Sequence, residues 1–101
     1  MYCFIQEVPA PIEMYDALHA SVKARMKGRE FGLLLHLARE SAGGFSIIEI
    51  WTSKQECDRA TEEVLLPAMR DFFDGETPFA PPPEVAFEPR GLVIPSAGVL
   101  T

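Results

Sequence analysis

Residues 32–53, GLLLHLARESAGGFSIIEIWTS, constrain the fold more than any other stretch of the chain. Two apolar runs flank a Gly43-Gly44 pair, which is the pattern of a β-hairpin. Side chains alternate across a strand. A turn centred on Ala42 and Gly43 sets His36 opposite Glu49 and Leu34 opposite Trp51. One face then collects Leu33, Leu35, Leu37, Ile48, Ile50 and Thr52. The other collects Leu34, His36, Ala38, Ile47, Glu49 and Trp51. A one-residue slip would mix the two sets, so the pattern selects this register.

The flanking segments complete a β-α-β-β-α-β order. Residues 2–8, YCFIQEV, read as a strand that Pro9 ends. A helix follows from Ile12 to Lys27, with Tyr15, Leu18, Val22 and Met26 on one apolar face and Gly28 as its C-terminal stop. Ser53 opens S-K-Q-E, a capping box in which Ser53 and Glu56 each satisfy a free backbone donor. The second helix runs to Phe73 with Ala60, Val64, Leu65, Ala68, Met69 and Phe72 as its buried stripe, and Pro67 is expected to kink or break it. After the Pro-rich loop 74–83, a last strand is expected at 84–88, which Pro89 marks as an edge strand, a bulge or a strand end, resumed by Leu92, Val93 and Ile94. The expected fold is α+β: one ferredoxin-like domain over residues 1–101, with a four-stranded antiparallel sheet and both helices on one face. Residues 95–101 have two readings, a flexible tail or one that contacts a partner.

Two helices cover only one face of a four-stranded sheet. The second face still carries several large apolar side chains, each worth ~1.5–3 kcal/mol when buried. A second copy packed sheet to sheet is the simplest cover, so the chain is expected to be a homodimer.

The bulk numbers remove several function classes. A net charge of -6 disfavours nucleic acid and anionic membrane surfaces as partners. No apolar run is long enough to span a bilayer. The start MYCFIQEV has no basic region before an apolar stretch and does not read as a signal peptide, so a cytoplasmic protein is expected. The two cysteines, Cys3 and Cys57, fit no metal spacing. Cys3 reads as a small core residue. Cys57 falls in a first helical turn, where the helix dipole would lower a thiol pKa slightly. No cofactor and no metal are implied, for there is no phosphate-binding Gly-rich loop, no nucleophile elbow and no metal-ligand pattern.

The element order, the GLLLH strand and the EIWTSKQE strand-to-helix junction resemble the antibiotic biosynthesis monooxygenase-like family, small proteins of the dimeric α+β barrel superfamily. The YDAL and LLPAM segments are similar to those of its actinobacterial members. The resemblance covers roughly residues 2–94. It implies a dimeric α+β barrel with a pocket between helices and sheet. Characterised enzymes of the family are cofactor-free oxygenases of polycyclic quinols and haem-degrading enzymes. This chain departs from the haem-degrading pattern. It contains no Asn, and the helix after Ser53 has neither Trp nor His, so haem degradation is not expected.

His36 and Glu49 are the candidate catalytic residues, a general base and the carboxylate that orients it. The competing reading is a cross-strand polar pair that fixes register. Trp51, Gln6, Phe4 and Tyr15 are the candidate substrate-binding residues: Trp51 as a stacking wall, Phe4 to exclude water, Gln6 and Tyr15 to stabilise an anion. Trp51 and Tyr15 each have a packing alternative, which is favoured for Tyr15, and the face that Phe4 and Gln6 share is left open. His19 reads as exposed, and Glu62, Glu63, Lys23, Arg25, Lys27 and Arg29 as solvated. Three functions follow: a cofactor-independent monooxygenase acting on a small aromatic or polyketide-like molecule, a non-catalytic dimeric binding or accessory domain, or a polyketide cyclase or isomerase.

Overall fold

The structure, a computed structural model, describes residues 1–29, 31–75 and 82–101. Strand β1 (Tyr2–Val8) leads into helix α1 (Ile12–Met26), then β2 (Leu33–Ser41) and β3 (Gly44–Trp51). Helix α2 (Lys54–Ala60) continues without a break through a π turn, Thr61–Leu65, into α3 (Leu66–Phe72). Strand β4 (Val85–Ala86) follows, and β5 (Val93–Ile94) pairs with β6 (Val99–Leu100). The four-stranded sheet is antiparallel with order β2-β3-β1-β4. This α+β arrangement is compatible with a ferredoxin-like fold. No described helix is long and apolar enough to cross a membrane.

The hairpin forms as its pattern requires. Ser41 pairs with Gly44 around Ala42-Gly43, and His36 faces Glu49. The register changes at the far end. A bulge at Leu34 sets Leu33, rather than Leu34, opposite Trp51. The extra residue turns Leu33 to the helix side, where it packs with Trp51 and Phe31, away from Leu35 and Leu37. Bulges are tolerated on an edge strand such as β2, where the displaced backbone groups can meet water.

Pro67 does not break the second helix. It lacks an N–H, and its ring would crowd the carbonyl four residues back. The π turn removes that conflict: Leu66 N–H bonds the Thr61 carbonyl, five residues back, and Pro67 sits at the start of α3. Val64 and Ala68 are buried, whereas Phe72, expected in the stripe, is 40% exposed near the helix end. The capping box is half formed. Ser53 Oγ accepts from Glu56 N–H at 3.2 Å, but the Glu56 carboxylate turns to Arg59. Arg25–Asp71 and Arg29–Glu63 ion pairs tie α1 and the segment just after it to the second helix.

The last strand is shorter than expected, with only Val85 and Ala86 paired to β1. Leu92–Ile94 does not resume it. Val93 and Ile94 pair instead with Leu100 and Val99, so residues 95–101 supply the turn and second arm of a separate hairpin. Most of the Pro-rich loop, residues 76–81, lies outside the described residues.

Register assigns the two faces. Phe4, Gln6, Phe45, Ile47, Glu49, Trp51 and His36 point to the helices, and Ile5, Ile48, Leu37 and Val85 point away. The main core lies between sheet and helices and holds Phe4, Phe31, Trp51, Cys57, Ala60 and Val64. The molecule measures 41 × 33 × 19 Å, and its thinnest dimension is that of one sheet and one helical layer. Cys3 and Ile50 on the outer sheet face are buried, but among the described residues that face is only partly covered. Leu35, Leu37, Val85 and Phe87 stay between 39% and 57% exposed.

Candidate functional site

Five side chains from α1, β2 and β3 form one hydrogen-bonded chain. Glu49, on β3, is its second member. Its Oε1 accepts from Trp51 Nε1 at 2.9 Å, and its Oε2 is 2.6 Å from His36 Nδ1. Cross-strand pairing of His36 with Glu49 creates the second contact, and the two-residue offset of Trp51 along the same face of β3 creates the first. On the other side of the ring, His36 Nε2 is 2.7 Å from the Tyr15 hydroxyl of α1. That hydroxyl is also 3.2 Å from His19 Nδ1. Tyr15 and His19 are four residues apart on one helix and so neighbours on its surface.

Donor counting fixes the proton positions when both histidines are neutral. The Glu49 carboxylate offers only lone pairs, so His36 carries its proton on Nδ1 and presents a bare Nε2. Tyr15 must then donate to His36, and its oxygen accepts from His19 Nδ1–H. The three rings lie nearly parallel. The interplanar angle is 18° between Tyr15 and His19, 11° between His19 and His36, and 7° between Tyr15 and His36.

The surroundings favour the neutral forms of Tyr15 and His19. Burial, then the Glu49 charge, then Asp16 raise the Tyr15 pKa, so the phenol stays a hydroxyl. Burial, then His36, then Lys23 lower the His19 pKa, and Asp16 opposes them. A neutral imidazole is the form that can accept a proton.

The expected site residues are only partly brought together. His36, Glu49, Tyr15 and Trp51 meet. Trp51 is 4% exposed and packs among Phe31, Cys57 and Val64, so it holds Glu49 in place. Phe4 pairs with Glu49 across β1 and β3 but is 3% exposed within the same core. Gln6 shares their face, yet its amide donates to the Pro82 carbonyl at 2.8 Å. His19, expected at the surface, is half-buried and joins the network. The four-residue spacing from Tyr15 was the signal for it. Cys57 also departs from expectation. Burial pushes its pKa up to about 12, outweighing any pull of the helix dipole.

Two clefts among the described residues lie apart from this network. The larger is lined by Pro9, Ala10, Ile12, Glu40 and Gly44 at the hairpin turn. The other is lined by Tyr2, Cys3 and Phe87 near β4. Among the described residues, no three His, Cys, Asp or Glu side chains cluster in a metal-binding arrangement. Comparison with protein-family models, curated proteins and solved structures returned no match.

Proposed function

We propose that this chain is a cytoplasmic homodimer of the monooxygenase-like kind that accepts a proton from a small aromatic or polyketide-like molecule, without a cofactor. One observation carries the reading: His36 is bonded at both ring nitrogens, to Glu49 on one side and to the Tyr15 hydroxyl on the other. A carboxylate behind an imidazole fixes its tautomer and stabilises the imidazolium once a proton arrives. In the oxygenase form of this reading, the anion left behind reduces dioxygen directly. A cyclase or isomerase would use the same proton step.

A second reading, a dimeric binding or accessory domain without catalysis, is favoured by the separation of both clefts from the network. Flat quinols tested in an oxygen electrode separate the two. The oxygenase reading expects uptake above the buffer rate, reduced by about tenfold or more in His36→Ala. The binding reading expects quenching of the single Trp51 on addition of the quinol, with no uptake.

A further inference from the structure

Both nitrogens of His36 are occupied, and so are both oxygens of Glu49. His36 cannot meet a substrate directly without breaking the network, and Glu49, an acceptor only, holds no proton to exchange. Tyr15 is likewise held between two imidazoles. The one heteroatom at the end of the chain with no hydrogen-bond partner among the described residues is Nε2 of His19. We propose that His19, rather than His36, is the residue that exchanges a proton with the bound molecule, and that Tyr15 relays that proton to His36. The inference rests on the acid–base reading above and names its entry point. The molecule it suits carries an acidic O–H, as a phenol or an enol does.

The step balances. A proton arrives at His19 Nε2. His19 releases its Nδ1 proton to the Tyr15 oxygen, and Tyr15 releases its own proton to His36 Nε2. One proton has been gained, His19 and Tyr15 are again neutral, and the charge rests on an imidazolium that donates to the Glu49 carboxylate. The donor therefore keeps its anion while the positive charge sits beside a fixed negative one. The titratable groups facing His19 are Asp16 and Lys23 on α1 and His36 on β2, with Glu49 on β3 behind them. Stacking of the two imidazoles at 5.2 Å opposes charging both at once, which keeps the relay to a single proton.

Imidazole nitrogen shifts in the ¹⁵N-labelled full chain read the tautomers without any turnover. Above the titration of both rings, His19 and His36 are each expected as the Nδ1–H form. Tyr15→Phe is expected to return His19 to the commoner Nε2–H form and to leave His36 unchanged. An Nε2–H His19 in the unaltered chain, or no change in Tyr15→Phe, overturns the relay. Para-nitrophenol then probes the entry point through its phenolate absorbance, measured at a pH where the free phenol is mostly un-ionised. The phenolate band is expected to grow on adding the unaltered chain, by about tenfold more than on adding His19→Gln. Equal growth with His19→Gln, or none with the unaltered chain, removes His19 as the entry. Phenol ionisation together with absent oxygen uptake defeats the oxygenase reading alone and leaves the relay standing.

Discussion

Nδ1 of His36 lies 2.6 Å from Oε2 of Glu49, and the same carboxylate holds Trp51 Nε1 through its other oxygen. Both side chains of the pair are mostly buried, at 23% and 17% exposure. Glu49→Gln keeps the shape but leaves one acceptor oxygen for two N–H donors. The substitution is expected to cost about 1–2 kcal/mol in urea unfolding, because charge-assisted hydrogen bonds to the carboxylate give way to neutral ones. It should also shift neutral His36 towards the Nε2–H form, which reverses the Tyr15 hydroxyl towards His19. Imidazole nitrogen shifts check the second outcome.

His19 sets a pH dependence of stability. Its folded pKa lies below the ordinary 6.5 because burial and His36 disfavour the charged form. Below 6.5 the unfolded chain binds this proton before the folded chain does, so unfolding is favoured as pH falls. Its contribution is complete above 6.5 and is lost as pH drops through the folded value. Urea midpoints measured across this window should fall on acidification, and the fall should be smaller in His19→Gln.

Cys3 and Cys57 are each 2% exposed and free. The Cys57 thiol, pushed up to about 12, holds almost no thiolate at neutral pH. A disulfide-exchange reagent added to the native protein is expected to react with neither cysteine, and with both once the protein is denatured. Rapid reaction of one thiol in the folded state would contradict this burial.

The hairpin was legible because its information is local. A two-residue turn and alternating apolar residues set the His36–Glu49 pair. The bulge at Leu34 was not legible, since it depends on how β2 ends against Gly32, whose carbonyl bonds Thr52 N–H at 2.8 Å. The π turn was hidden for a related reason: Pro67 shows that a helix bond is lost, but not whether the helix bends or widens. His19 was misplaced because α1 buries no residue completely, so its inner face is poorly marked by hydrophobicity. Only the approach of α1 to β2 shows that Tyr15 and His19 lean on His36.

The turn provides a paired test of backbone geometry. A Cβ on Gly44 would lie 1.9 Å from the Val8 carbonyl oxygen of the neighbouring strand. Two backbones must part to admit it, so Gly44→Ala is expected to cost about 3 kcal/mol or more. Gly43 has a φ of +79° but open space around it. Gly43→Ala should cost only the left-handed backbone penalty, roughly 1 kcal/mol. Equal losses in urea unfolding would mean that close approach to Val8 is not what fixes Gly44.

The outer sheet face gives the prediction that separates a dimer from a monomer. Leu37 at 50% and Val85 at 57% exposure lie on the face away from the helices, with partly buried Ile5 and Ile48 between their strands. In an isolated chain, Leu37→Glu exchanges one half-exposed residue for another and should change stability by no more than about 0.5 kcal/mol. In a sheet-to-sheet dimer it places an unpaired carboxylate in an apolar interface, which the assembly resists strongly. Sedimentation of the unaltered chain is expected to give twice 11.2 kDa, and Leu37→Glu should sediment at the single-chain mass. Its melting temperature should also lose the concentration dependence that a dimer imposes. If the unaltered chain sediments at the single-chain mass at every concentration, this face is not closed by a second copy.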